Sequence, residues 1–141
     1  MKFSIETIDS GDYSGYSIII IGKASKSGTT IPFVIKLNEE LTFDGREGYV
    51  GDSIKGMLAE GETTDVEMTF HFDHLFGNSR AEADDHVNRD SPGFELFLDF
   101  ADEGRIDVDQ NRMKNHPLYS RLIEGIETLG HLGEGHCKVT R

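Results

Sequence analysis

Three short stretches of this chain hold five of its six histidines: His71-Phe72-Asp73-His74, Asp84-Asp85-His86, and His131-Leu132-Gly133-Glu134-Gly135-His136-Cys137. Neutral imidazoles bind divalent metals such as zinc through nitrogen, and carboxylates beside them can take protons from a bound water. The His71-x-x-His74 spacing suits two ligands if the chain bends near Asp73, because in a straight strand the two side chains point to opposite faces. His131 and His136 flank two glycines, a flexible arrangement able to turn either ring, or Glu134, toward one cavity. The ligand set read from the residues is His71, His74 and one histidine of the C-terminal loop, His136. Asp73 and Glu134 are the candidate proton acceptors. Zinc or iron would suit imidazole donors, and the pattern does not choose between them.

Stronger metal signatures are missing. The chain has neither a helical His-Glu-x-x-His segment nor a Cys-x-x-Cys pair. Gly51-Asp52-Ser53-Ile54-Lys55-Gly56 fails the spacing of a phosphate loop, so nothing points to a nucleotide enzyme. A metal-free alternative pairs His71 with Asp73 for proton transfer; side chains two apart on a strand are about 6 to 7 Å apart, so the pair needs a bridging substrate. Cys137 reads as packing rather than as a nucleophile, and His116-Pro117 as the start of a helix.

Charge narrows the partners. Twenty-six acidic residues against 14 basic ones give a formal charge of −12, which repels phosphate backbones, and the lysines and arginines are scattered rather than clustered. Nucleic acid is therefore not expected. An uncharged or cationic small molecule, a divalent metal or a basic protein surface is easier to accommodate. The longest apolar run, Ile18 to Ile21, is far short of a membrane span, and the polar start at Lys2-Phe3-Ser4 is unlike a signal peptide. With a single cysteine, the expectation is a soluble cytoplasmic protein without disulfides.

The elements that must position these residues read as one α+β domain over 1–141, with a mainly antiparallel sheet and a C-terminal helix packed against it. Tyr16 to Ile21 and Ile31 to Leu37 are β-branched segments joined by turn residues, a hairpin. Phe3 to Ile8 can add a strand, and Pro32 suits a strand start or an edge. Asp52 or Ser53 can cap a short helix that Gly61 ends. Val66, Met68, Phe70 and Phe72 alternate, predicting a strand that buries them and turns His71 and Asp73 to the opposite face. Residues 77 to 93 form a long polar loop with room for one helical turn, beside the histidine pair. Phe94 to Ala101 fits both periods and is read as a strand that turns through Asp102-Glu103-Gly104 into another carrying Ile106 and Val108. Leu118, Leu122, Ile126 and Leu129 make a helical stripe that Gly130 stops. His136 to Thr140 ends the chain as a strand with Cys137 and Val139 inward.

The function these observations imply is a small soluble enzyme using a histidine and carboxylate site for metal-assisted attack by water, with hydrolase the first reading and lyase and isomerase left open. The alternatives are an acidic interaction or regulatory domain, such as a homodimer whose Phe-rich strands form the contact, and a metal-handling protein.

Overall fold

A computed structural model of the chain describes residues 2–45, 49–50, 53–54, 60–61, 63, 67–132 and 135–140, with backbone alone at 26, 49–50, 53–54 and 135–136. The expected hairpin is present. β2 (Ile18–Lys26) runs antiparallel to β3 (Thr29–Leu37), from Ile18 opposite Leu37 to Lys26 opposite Thr29. Ser27 and Gly28 turn the chain with φ of 51° and 82°. Two successive positive φ values match the right-handed twist of the flanking strands, and glycine supplies the second at no steric cost. β9 (Arg105–Asp109) lies parallel to β3, beginning at Phe33 opposite Ile106. Pro32, which has no N–H to give a second neighbour, stands one residue outside that pairing. β8 (Ala101–Asp102) returns against β9 and completes the order β2-β3-β9-β8.

A second sheet joins the two ends of the chain: β1 (Lys2–Ile5) and β12 (Lys138–Thr140) flank β4 (Leu41–Asp44). Phe43 is its buried centre, opposite Phe3 on one side and Val139 on the other, with the Phe3 and Phe43 rings stacked at 5.0 Å. A small hairpin pairs β5 (Tyr49–Val50) with β6 (Ser53–Ile54). Ser53 and Ile54 were expected to begin a helix and instead form β6; most of the rest of that segment lies outside the described residues. The third sheet, which carries the site, has the order β11-β10-β7, with β7 at Met68–Phe70, β10 at Gly130–Leu132 and β11 at Gly135–His136.

Among the described residues five helices fill the connections: α1 (Asp73–Phe76), α2 (His86–Asp90), α3 (Glu95–Leu98), α4 (Gln110–Met113) and α5 (Tyr119–Glu127). Of these five, only α5 exceeds five residues. Its stripe is as read: Leu122 and Ile126, with Leu129 just beyond the last turn, are wholly buried against the core with Ile35, Leu75 and Phe97. His116 begins this region by accepting the Leu118 N–H at Nδ1, 3.1 Å away. Gly130 does not stop the helix, which ends at Glu127 with Thr128 as its cap; it opens β10, where a Cβ would lie 2.4 Å from the Phe43 ring. The α+β architecture, with this helix on the core, is thus established, although three short strands follow it.

Two further expectations are corrected. The segment from Phe94 is helical, not a strand: Leu96 and Phe97 are adjacent and both wholly buried, which an alternating strand does not allow. β7 is inverted. Met68, Phe70 and Phe72 are 52%, 42% and 40% exposed, whereas Thr69 and His71 are half-buried. Phe70 gives its edge to Phe3 and Phe43 at 6.0 and 6.1 Å, at the rim of an apolar hollow rather than inside the core. No helix among the described residues is long and apolar enough to cross a membrane.

Candidate metal centre

The strand leading to the first histidine, β7, ends at Phe70. The His71 N–H donates to the Leu129 carbonyl at 2.9 Å, tying this point to the end of α5, and the His74 N–H then donates back to the His71 carbonyl at 3.1 Å. This closes a turn running straight into α1. The i, i+3 spacing that would separate the two rings on a strand therefore brings them onto one side, with ring centroids 6.3 Å apart.

β10 supplies the third ring. His131 lies opposite Thr69 in the antiparallel pairing of β10 with β7, and residues so paired present their side chains to the same face. The consequence is close approach: His131 is 4% exposed and stacks on His71 at 3.9 Å with 7° between the ring planes, and it meets His74 edge-on at 5.5 Å. One nitrogen from each of His71, His74 and His131 lies within 4.8 Å of the others. A tetrahedral zinc with Zn–N bonds of about 2.0–2.1 Å needs nitrogens roughly 3.3 Å apart. Coordination by all three would need His71 and His131 to tilt out of their stack.

His74 is also oriented from behind. Thr128 Oγ1 lies 2.9 Å from His74 Nδ1, and 3.1 and 3.3 Å from the carbonyls of Gly125 and Glu124. A hydroxyl has one proton; donated to a carbonyl, it leaves oxygen lone pairs to accept Nδ1–H. The imidazole proton is then on Nδ1 and the lone pair on Nε2, the arrangement of a metal ligand held by an outer hydrogen bond. Gly125 lets α5 come this close: a Cβ there would stand 2.6 Å from the His74 carbonyl oxygen and 3.0 Å from Leu75 Cδ2.

Two buried oxygens belong to residues that adjoin the cluster in the chain or in the strand pairing. Asp73 Oδ1, between the two histidines in the chain, and Thr69 Oγ1, opposite His131, have no hydrogen-bond partner among the described residues. A buried acceptor left so costs about 1–3 kcal/mol, which a bound water or ion would relieve.

The structure thus joins two of the expected ligands, His71 and His74, and adds His131. His136 is the backbone partner of His131 in the pairing of β10 with β11; its side chain, like Glu134, lies outside the described residues. The signal for His131 was present in the sequence as the His131-to-His136 loop, whose hairpin register only the fold reveals. His116 is elsewhere, with Nε2 2.9 Å from Asp99. Cys137 is half-buried and packs on the core, and burial, helped by the Asp44 carboxylate, pushes its thiol above the ordinary value, disfavouring a thiolate.

The chain was compared with protein-family models, curated proteins and solved structures, and none matches; what stands is a small α+β domain with three histidines arranged to coordinate a metal ion.

Proposed function

We propose that this protein binds a divalent transition metal, zinc or iron, through His71, His74 and His131 and uses it to activate water against small uncharged or cationic molecules. The observation that carries this reading is the convergence of three imidazole nitrogens within 4.8 Å from a turn, a helix and a strand. Three protein ligands leave a position for water, whose pKa a catalytic zinc lowers to about 7. Asp73, whose buried Oδ1 lacks a partner among the described residues, is the proposed proton acceptor, with Glu134 as the alternative from the loop between β10 and β11. The test is metal content after purification without a histidine tag. The parent should hold about one ion per chain, the stoichiometry of a single site, and His71→Ala/His74→Ala and His131→Ala should lose it while retaining the circular dichroism of the fold. Unchanged metal in both variants would sink the site.

A second reading rests on the register of His136 against His131. As a fourth ligand, His136 would close the site, giving a structural or metal-handling protein instead of a catalyst. His136→Ala separates the two: nearly unchanged zinc affinity favours the open site, and a loss of two or more orders of magnitude favours the closed one.

A further inference from the structure

Towards its turn the hairpin of β2 and β3 becomes less buried: Ile35 and Leu37 are wholly buried, Ile31 and Phe33 half-buried, and Thr29 exposed. The β2 residues facing this stretch are small. Gly22, opposite Phe33, leaves the space that the Phe33 ring fills, since a Cβ at 22 would lie 2.7 Å from that ring. Ala24 follows on the same face, paired with Ile31. α3 stands across the gap. Its Leu96 and Phe97 are wholly buried, whereas Glu95 and Leu98, three apart on the helix, are exposed.

Between hairpin and helix lies a hollow of 400 Å³, walled by Ala24, Ile31, Phe76, Phe94 and Leu98. Ordinary ligand pockets run from roughly 300 to 1,000 Å³, so it suits a small molecule. The Phe76 and Phe94 rings are 6.0 Å apart and tilted by 44°, and both pack on Phe97, at 5.6 and 6.0 Å. Rings inclined in this way offer faces and edges together, and a flat aromatic guest packs edge-to-face on such a pair.

Glu95 is the only charged residue of the described lining. Its Oε2 lies 4.0 Å from where a Cβ on Gly93 would stand, so the carboxylate folds back over a second part of the same wall. Among the described residues it has no ion-pair or hydrogen-bond partner. A formal charge of −12 over the chain adds to its attraction for cations.

We infer that this hollow binds a small aromatic molecule carrying an ammonium group, its ring against Phe76, Phe94 and Leu98 and its charge on the Glu95 carboxylate. None of the three clustered histidines lines it, so the site stands whether or not a metal binds.

The chain has no tryptophan, so the emission of an indole probe reports its own binding. Tryptamine, tryptophol and indole-3-acetate share one ring and at neutral pH carry a positive charge, none and a negative charge. Followed by fluorescence anisotropy with the full chain, tryptamine should bind saturably, tryptophol about threefold more weakly, and indole-3-acetate more weakly again. Glu95→Gln, at an exposed position, should bring tryptamine to the affinity of tryptophol and leave tryptophol unchanged. Ala24→Phe, which fills the hollow, should weaken all three probes about tenfold. Leu98→Ser, at an exposed position, should also weaken all three, and decides if the phenylalanine variant does not fold. A parent chain that binds none of the probes overturns the site, as do affinities that neither Ala24→Phe nor Leu98→Ser moves. Equal affinities for tryptamine and tryptophol, or a preference that survives in Glu95→Gln, overturn the pairing of the ammonium with Glu95.

Discussion

Replacing Gly125 by alanine sets two local effects against each other, and the structure says which wins. Gly125 is inside α5, where alanine is better than glycine by up to about 1 kcal/mol because it loses less backbone entropy. On that basis Gly125→Ala would stabilise. The new methyl, however, would stand 2.6 Å from the His74 carbonyl oxygen and 3.0 Å from Leu75 Cδ2. The leucine can rotate; the carbonyl belongs to the backbone of α1 and moves only if the helix does. Overpacking typically costs about 1–3 kcal/mol, and an immovable neighbour puts this case at the upper end. The net expectation is a loss of about 2 kcal/mol, or roughly 6 °C in Tm for a domain of this length. The shift of α1 also carries His74 away from Thr128, so zinc affinity should fall about tenfold, the lower end of what disturbing an outer hydrogen bond costs a metal site. Thermal unfolding with and without zinc, plus competition titration with a chromophoric chelator, measures both. A variant as stable as the parent, with its zinc affinity intact, would falsify the packing argument and with it the idea that α5 seats the ligand.

Other perturbations address the outer shell and the electrostatics. Thr128→Val keeps the side chain's shape and removes the acceptor for His74 Nδ1–H; zinc affinity should drop by about tenfold to a hundredfold while the metal-free protein loses only about 1 kcal/mol, as read by chelator competition and urea unfolding. Unchanged zinc affinity would mean that Thr128 does not set the His74 tautomer. Lys36 Nζ lies 2.7 Å from Asp107 Oδ1, and each holds the other's charge: the ammonium keeps the Asp107 carboxyl below its ordinary range, and the hydrogen bond to Asp107 raises the lysine. The depressed carboxyl contributes stability above its unfolded pKa, lost as pH falls through the lower folded value; the raised lysine contributes below its unfolded pKa, lost as pH climbs through the higher folded value. Lys36→Met should therefore lose less stability than the parent between about pH 7 and about pH 3, measured as the difference in urea midpoints. An equal acid loss in both proteins would show that the pair is too solvated to matter.

The parts of the fold that could be read in advance are those where local chemistry and tertiary packing agree. Ile18 to Ile21, the Ser27-Gly28 turn and Ile35 to Leu37 specify a hairpin from their own preferences, and the Leu122, Ile126 and Leu129 stripe has one helical solution. Phe94 to Phe100 could not be settled this way, because apolar residues at 94, 96, 97, 98 and 100 satisfy both periods. What decides is that Leu96 and Phe97 both find the core, a fact about neighbours rather than about the segment. Alternation in β7 correctly grouped Met68, Phe70 and Phe72, but periodicity says which residues share a face and not which face is inside.

The same distinction explains the metal site. Strand parity separated His71 from Met68, Phe70 and Phe72 and assigned it to the outer face; because β7 is turned over, that face is where His131 is buried. The histidine pair was legible from its spacing, and the bend it needed occurs at once, through the His74 N–H on the His71 carbonyl. The third ligand depends on a long-range register, Thr69 opposite His131, which no local pattern encodes. An ion held there would link a turn, α1 and β10, three pieces that touch only in the folded chain. Metal bound by the native state alone stabilises it by RT ln(1 + [metal]/Kd), about 2.7 kcal/mol at a hundred times Kd. Binding at this centre is therefore coupled to folding of the third sheet, and a variant that breaks the Thr69–His131 register without touching a ligand should lose metal and that stabilisation together.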